Sequence, residues 1–456
     1  MSEADPRVIL RLGSHSEKEY IAKTAKQFDG VIVGANLLQI SPGATASLIL
    51  KLSNTSGQPY YVDPMTYAFG TYVDPESDTV RDDLDWIKSE QKVRGGRRGE
   101  TRRDFKISYR KLAEAFGRPF SLALDRKRAV LYSDFPTDEA ISDVCRAVLS
   151  YQGEKLRDVF REDPETVGFA DDLPVPTALF APYFYIEKSR SAEWIELNHR
   201  LALGSMNQSN DIPIHVVVCA HRDLLTDGNL SAVVVRNLKE CNPAGVWLWF
   251  SRFDEHIAEK EELSALRWWV EQLSPTMSVF NMHGGFFSIA LSKVGMAGTA
   301  HGIGYGEQKD VVPVIGQSTP TVQYYVRKLH AKYSVPQITR CFSALGIRRP
   351  QDFFSKVCDC VICQGIIDSD LKTFAQFGEI HYSTPTSRRA AQTPAAAKRC
   401  RFHFLLNRIW EREYVRRSSL AEIIAECENA ADAWSRSVIS GTLQHLRLWA
   451  EVLAGN

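Results

Sequence analysis

From residue 177 onward the chain repeats one unit, a short and almost unbroken apolar run followed by an amphipathic stretch. The runs are TALFAPYFY (177–185), IHVVVCA (214–220), GVWLWF (245–250) and MSVFNM (277–282). SAEWIELNHRLAL, LSAVVVRNLKE, a segment holding Trp268 and Trp269, and FFSIALSKV follow them. Runs without polar alternation suit strands buried on both faces, and helices between them imply parallel pairing. The first half is looser but similar. GVIVGANLL (30–38), PYYVDP (59–64) and RAVLYSDF (128–135) read as strands, and Ser41-Pro42 opens a helix. Thr137 to Ala140 then cap a long helix to about Arg161. With a last short strand expected near Gly298–His301, about eight units predict an α/β fold of the closed (β/α)8 kind rather than an open doubly wound sheet. No G-x-G-x-x-G follows the first strand, which weakens a dinucleotide-binding reading.

Beyond about Gln337 the pattern breaks. Residues 1–340 are expected to form the barrel, with a polar, basic insertion at about 66–111, and 341–456 a metal-stapled helical subdomain. The staple is CDCVIC: Cys358, Cys360 and Cys363 within six residues, with Cys400 and His403 some forty residues on. Thiolate is the soft ligand Zn²⁺ prefers, and three close thiols plus one distant Cys or His complete a tetrahedron. The metal is therefore expected to be structural zinc.

The chain has 55 Lys and Arg against 55 Asp and Glu, so it is no polyelectrolyte overall. Its positive charge is local. Nine Lys or Arg, including Arg94, Arg97, Arg98, Arg102 and Arg103, fall between Lys92 and Lys111 against Glu100 and Asp104. A second basic stretch holds Arg388, Arg389, Lys398, Arg399 and Arg401. Local positive charge on a neutral protein points to an anionic partner, with nucleic-acid phosphate leading and a solvated loop as the plainer account. No run of 18 apolar residues reads as a membrane span, and the start lacks a signal-peptide core. Nine unevenly placed cysteines suit a reducing cytoplasm better than a disulfide framework.

In a barrel of this kind the active site lies at the C-terminal ends of the strands. The residues that follow the apolar runs are then Asp63, Tyr183 and Tyr185, His221 and Arg222, Asp254, His283 with Gly284 and Gly285, and His301 with Tyr305 and Glu307. This ring mixes carboxylates, imidazoles, aromatics and glycine-lined backbone, which suits a planar polar ligand. Tyr67, Phe69, Tyr183, Tyr185 and Tyr305 are candidate stacking faces. Asp63 is the expected catalytic carboxylate. Gly284-Gly285 is expected to present backbone N–H groups to an anion.

A barrel followed by Cys-x-Cys-x-x-Cys and a later His resembles the tRNA-guanine transglycosylase superfamily, which includes DpdA-type enzymes that put 7-deazaguanines into DNA. The resemblance lies in architecture and motif order over about 30–456. It implies that His403, in RFHFLLNRIWERE, closes the metal site, with His381 and Cys400 as alternatives. It also implies that Asp63, in YYVDPMTYAFG, is the family's barrel carboxylate, and that dimers form. The chain departs from the family where the last strand should end in a nucleophilic Asp: the stretch reads GTAHGIGYGE, with His301 near that position and Glu307 several residues later.

Base exchange needs a carboxylate that holds the sugar covalently. With one rim carboxylate the simpler chemistry is hydrolysis, with Asp63 stabilising the oxocarbenium-like sugar and His or Tyr groups assisting the leaving base. The expected activity is a DNA glycosylase that excises a modified base and leaves an abasic site, as in defence against foreign DNA. DNA is favoured over tRNA as partner. The alternatives are a base-exchanging transglycosylase, with Glu307 or Asp254 replacing the nucleophile, and a catalytically inactive nucleic-acid-binding scaffold.

Overall fold

Eight parallel strands close on themselves in the computed structural model of the chain. It describes residues 5–70, 72–73, 80–81, 109–162, 167–170, 172–208, 211–304, 309–311, 321–382 and 390–455. The strands are β1 (Arg7–Leu12), β2 (Val31–Gly34), β3 (Tyr60–Asp63), β4 (Ala178–Phe180), β5 (Ile214–Ala220), β6 (Gly245–Phe250), β7 (Ser278–Asn281) and β8 (Met296–Gly302). They pair in sequence order, and β8 closes the ring against β1 with Leu10 opposite His301. The fold is thus a (β/α)8 barrel.

Strand alternation divides the core into two layers. Outward residues such as Val8, Leu10, Val62 and Val218 pack under the helices. Inward residues such as Ile9, Tyr61, Phe180, Trp247 and Phe280 fill the interior. Trp247 stacks on Phe280 with centroids 4.4 Å apart, and its Nε1 donates to His215 Nδ1 at 3.0 Å. Gly245 leaves the space this imidazole occupies: a Cβ there would lie 2.8 Å from His215 Nε2. The lower barrel is therefore a packed plug, and chemistry is confined to the upper end.

Two strand expectations are corrected. RVILRL, not read as a strand, is β1; its two arginines share the inward face with Ile9, so it lacks the unbroken apolar signature. RAVLYSDF is not a strand. Arg128 pairs with Asp134 at 2.7 Å, Val130 N–H donates to the Phe69 carbonyl, and the segment folds into a 3-10 turn at Tyr132–Asp134. GVIVGANLL is also shorter as a strand than expected, because a helical turn starts at Ala35.

The covering helices are α1 (Lys18–Thr24), α2 (Pro42–Ser56), α3 (Asp138–Glu162), α4 (Ser191–Met206), α5 (Gly228–Cys241), α6 (Lys260–Leu273) and α7 (Phe286–Ala290). Local chemistry sets several ends. Asp227 accepts from Asn229 N and Leu230 N at the start of α5, and Asn242 closes that helix in the left-handed region with φ 46°.

The eighth helix comes late. After β8 the chain makes an antiparallel hairpin (Tyr324–Val326 with Ala331–Tyr333), then short helices at Val335–Cys341, Pro350–Lys356 and Val361–Ile367. Only then does α8 (Pro394–Arg417) return to pack against β1, α1 and α7, the position a barrel's eighth helix takes. Lys398 pairs with Glu19, Arg412 with Asp29, and Phe402 meets Tyr20 at 4.9 Å. The metal-binding segment is an insertion in the eighth unit, and one apolar core runs through it and the barrel, with no break near 340. Two last helices, α9 (Leu420–Ala433) and α10 (Gln444–Ala454), pack on each other, and α10 lies on α6. Among the described residues no helix is long and apolar enough to cross a membrane.

Candidate active site and metal centre

The upper end of the barrel centres on Asp63, the last inward residue of β3, which is fully buried. Tyr183 donates its hydroxyl to Oδ1 at 2.7 Å, Met65 N–H donates to the same atom at 3.0 Å, and Arg11 Nη2 lies 3.3 Å from Oδ2. Tyr67 stacks on Tyr183 at 5.5 Å and meets Trp249 edge-on at 4.9 Å. Arg11 lies over Trp249, and His283 packs 4.8 Å from the same ring. Burial and the nearby Asp63 push the Tyr67 and Tyr183 hydroxyls well above the usual phenol range, so both stay protonated donors. Burial, with Arg11 and Lys309 nearby, pushes His283 well below the usual imidazole value, so its ring is neutral. Arg11 Nη1 and both His283 nitrogens have no partner among the described residues. The mouth therefore combines a fixed carboxylate, aromatic faces and unsatisfied donors, the equipment for a planar ligand rich in acceptors.

Residues 309–311 lie across one side of this mouth. Trp249 Nε1 donates to the Lys309 carbonyl at 2.9 Å, Val311 N–H donates to Ser251 Oγ at 3.1 Å, and Asp310 pairs with Arg252 at 2.7 Å.

The remaining expected site residues divide. Tyr185 packs at the edge of the inner cluster. Phe69 does not reach the mouth: it packs in the outer layer, 4.9 Å from Phe120, because the chain turns outward after Ala68. His221 and Arg222 also turn outward, His221 to Ser191 at 3.4 Å and Arg222 to Glu262 in the first turn of α6. His301 is not beside Asp63. Alternation on β8 points Ala300 inward and His301 outward, where its ring meets Phe404 of α8 at 5.2 Å. Burial, then Arg408, lowers His301 to about 3. Asp254 lies beyond the end of β6, 3.0 Å from His256 Nδ1 and 3.1 Å from Lys309 Nζ. Burial would raise it, but those partners outweigh burial and hold it well below the usual carboxylate range.

The expectation that Gly284-Gly285 offers free N–H groups is overturned. Gly284 N–H donates to the Ala300 carbonyl at 3.1 Å and Gly285 N–H to Glu255 Oε1 at 2.9 Å. The glycines are there for close approach: a Cβ at Gly284 would fall 2.1 Å from Thr299 Oγ1. Tyr305, Glu307, Arg94, Arg97, Arg98, Arg102 and Arg103 lie outside the described residues, as do Arg388 and Arg389. The rest of the second basic stretch is engaged internally. Lys398 pairs with Glu19, Arg399 donates to the Gln376 carbonyl, and Arg401 donates to Tyr20.

Cys358, Cys360, Cys363 and His403 converge, their ligand atoms all within 4.8 Å of one another. His403 Nδ1 is 3.9 Å from Cys358 Sγ, 3.3 Å from Cys360 Sγ and 3.4 Å from Cys363 Sγ. A tetrahedral site with metal–sulfur and metal–nitrogen bonds of about 2.3 and 2.05 Å sets such pairs about 3.6 Å apart, so the tetrad fits a metal ion. The groups around it complete the fit. His403 Nε2 faces the Tyr325 carbonyl at 2.6 Å, which fixes Nδ1 as the ligand. Tyr324 stacks on the His403 ring at 4.2 Å, and its hydroxyl lies 3.1 Å from Cys363 Sγ. The alternatives are excluded: His381 is exposed on the Ile380–Tyr382 strand, and Cys400 donates to the Phe377 carbonyl at 3.3 Å. None of the nine cysteines is in a disulfide.

Sequence reasoning missed Arg11, Trp249, Lys309 and Arg408. Arg11 was findable, because the Arg7-x-Ile9-x-Arg11 alternation is a strand signature. Arg408 was not, because its place depends on how α8 docks. In comparisons with models of known protein families and with curated proteins, the chain matches none.

Proposed function

We propose that the barrel mouth hydrolyses the N-glycosidic bond of a modified nucleobase in DNA. The observation that carries this reading is the Asp63 carboxylate, fixed between Arg11 and Tyr183 among aromatic faces. The likeness in motif order to the tRNA-guanine transglycosylase superfamily supports it. The C1′–N bond breaks and its electron pair leaves with the base. Asp63 stabilises the positive sugar and accepts a proton from the attacking water, while a neutral donor such as Tyr67 or His283 hydrogen-bonds the departing base. Asp63 is shut off from solvent in this conformation, so base entry requires the Tyr67–Tyr183 stack to open. A base inside a duplex cannot reach the mouth, so it is flipped out or taken from a single strand.

Hydrolysis is favoured over base exchange because the inward positions at the end of β8 are Ala300 and Gly302, which give the sugar no second carboxylate. Three thiolates and an imidazole favour Zn²⁺ as the metal, in a structural role and in a reducing compartment such as the cytoplasm.

The test is incubation with modified and unmodified DNA followed by alkali. Strand breaks at abasic sites in the wild type, lost in Asp63→Asn, support excision. Incorporation of labelled 7-deazaguanine without breaks replaces it with exchange. Binding with neither outcome leaves a nucleic-acid scaffold.

A further inference from the structure

A cavity of about 580 Å³ opens between the ends of β7 and β8 on one side and the 324–333 hairpin and α8 on the other. It adjoins the barrel mouth at His283, which belongs to both. Its walls carry Lys309, Lys332 and Arg408 against one carboxylate, Asp254, so their formal charge is positive.

Three buried groups in these walls are incompletely satisfied among the described residues. Arg408 is 5% exposed; its Nη1 is engaged by Glu411 at 2.7 Å, while Nε has no partner. His283 has none on either nitrogen. His301 Nδ1 faces the Gly302 carbonyl at 3.1 Å, and Nε2 has none. Arg408 Nε–H and the single N–H of the neutral His283 ring are donors that a ligand acceptor would satisfy, whereas His301, with its Nδ1–H on the Gly302 carbonyl, presents Nε2 as an acceptor to a ligand hydroxyl.

Two carboxylates behind the wall, Glu411 and Glu255, act on Arg408 and offset part of its charge. Glu411 also accepts from Tyr325 and lies 2.6 Å from His330 Nδ1. Glu255 holds the glycine turn through Oε1, which accepts from Gly285 N–H and Ser288; its Oε2 is buried without a partner among the described residues, and it is not part of the wall. Asp254 is held by Lys309 and His256.

We infer that this cavity is an anion site that takes a phosphate group. Arg408 has the planar fork that suits phosphate oxygens, and the volume is large enough for a nucleotide. The loops after the seventh and eighth strands are also where barrels of this kind often hold phosphate. The metal clip fixes the geometry: His403 is five residues before Arg408 on α8, about 7.5 Å along the axis, so the clip sets the register that brings Arg408 to the cavity. Given the nucleic-acid reading above, the ligand is the phosphodiester beside the nucleotide whose base reaches Asp63. The anion site itself does not depend on that reading.

The test measures binding to the full-length metal-loaded protein. A short fluorescent single-stranded oligodeoxynucleotide is titrated, with inorganic phosphate and thymidine 5′-monophosphate as direct ligands and as competitors. The anions are expected to bind and to displace the oligonucleotide. Arg408→Gln and Lys332→Gln are each expected to weaken anion binding about tenfold or more, since a charged hydrogen bond contributes roughly 1.5–3 kcal/mol. Arg408→Lys should recover part of the loss. Lys332 is only partly buried, so its variant keeps the test valid if Arg408→Gln fails to fold. Tighter binding of the oligonucleotide than of the monophosphate identifies the nucleic-acid backbone as ligand. Monophosphate binding alone identifies a free nucleotide, and both outcomes keep the site. Failure of the wild type to bind phosphate or monophosphate, or unchanged affinity in the folded variants, overturns it. Asp63→Asn should abolish base release and leave anion binding unchanged, so failure of the catalytic reading is distinguishable from failure of this one.

Discussion

Removing the metal should loosen the inserted subdomain far more than the barrel. The clip joins Cys363 to His403, 40 positions apart. Treated as a single cross-link, closing a loop of that length removes about 13 cal/mol/K of chain entropy, or about 4 kcal/mol at 25 °C. Chelation returns that freedom to the subdomain and leaves three thiols and an imidazole crowded without their ion. Where amide exchange follows local opening, 4 kcal/mol is a gain of about three orders of magnitude in exchange rate. The assay is hydrogen exchange with mass spectrometry on protein with and without a strong chelator, with metal content measured in parallel. The gain should centre on the helices at 335–367 and on the N-terminal half of α8. It should spread to β1 through Phe28, His301 and Phe404, which meet at that seam. Strands β4 to β6, on the far side of the barrel, should keep their protection. Cys360→Ser should reproduce the pattern. Full protection of 335–367 after complete metal loss, or protein that never carries about one ion per chain, would refute the reasoning.

Other expectations follow from single contacts. Tyr183→Phe removes the hydroxyl from buried Asp63 and should cost about 1–3 kcal/mol of stability. Combined with Asp63→Asn it should be less than additive in urea melts, and full additivity would mean the two do not interact. Gly284→Ala drives a Cβ to 2.1 Å from Thr299 Oγ1 and should destabilise by about 1–3 kcal/mol or more, read as a lower melting temperature. Burial lowers His215 and His445 to about 4 and His301 to about 3, each below the unfolded value of about 6.5. The folded state resists these protons, so their contribution is full above about pH 6.5 and is lost as pH falls towards about 3. His215 and His445 contribute roughly 3 kcal/mol each and His301 roughly 5, and a urea midpoint that stays level from neutral pH to about pH 4.5 would contradict this.

Much of the architecture was legible in local pattern. The strands at 178–180, 214–220, 245–250 and 278–281 announce themselves because a strand buried on both faces admits almost no polar residue. The metal thiols are legible because their spacing is itself the chemistry. The misses have one cause. β1 carries Arg7 and Arg11, tolerated inside the barrel because Phe280 faces Arg7 and Asp63 faces Arg11, partners 52 or more positions away. RAVLYSDF is apolar enough to be a strand, but an ion pair across its ends and a bond to Phe69 fold it otherwise.

Residue type and short-range spacing suffice for the class of fold, the three sulfur ligands and Asp63 as the rim carboxylate. Tertiary structure alone decided that His403 rather than Cys400 or His381 closes the tetrad. It also decided that His301 faces outward, that Phe69, His221 and Arg222 lie away from the mouth, and that Arg408 borders a cavity. Those outcomes depend on strand parity and on how α8 docks into the barrel's eighth position. Docking of that kind is set by contacts between residues hundreds of positions apart, such as Arg412 with Asp29, which no local pattern encodes.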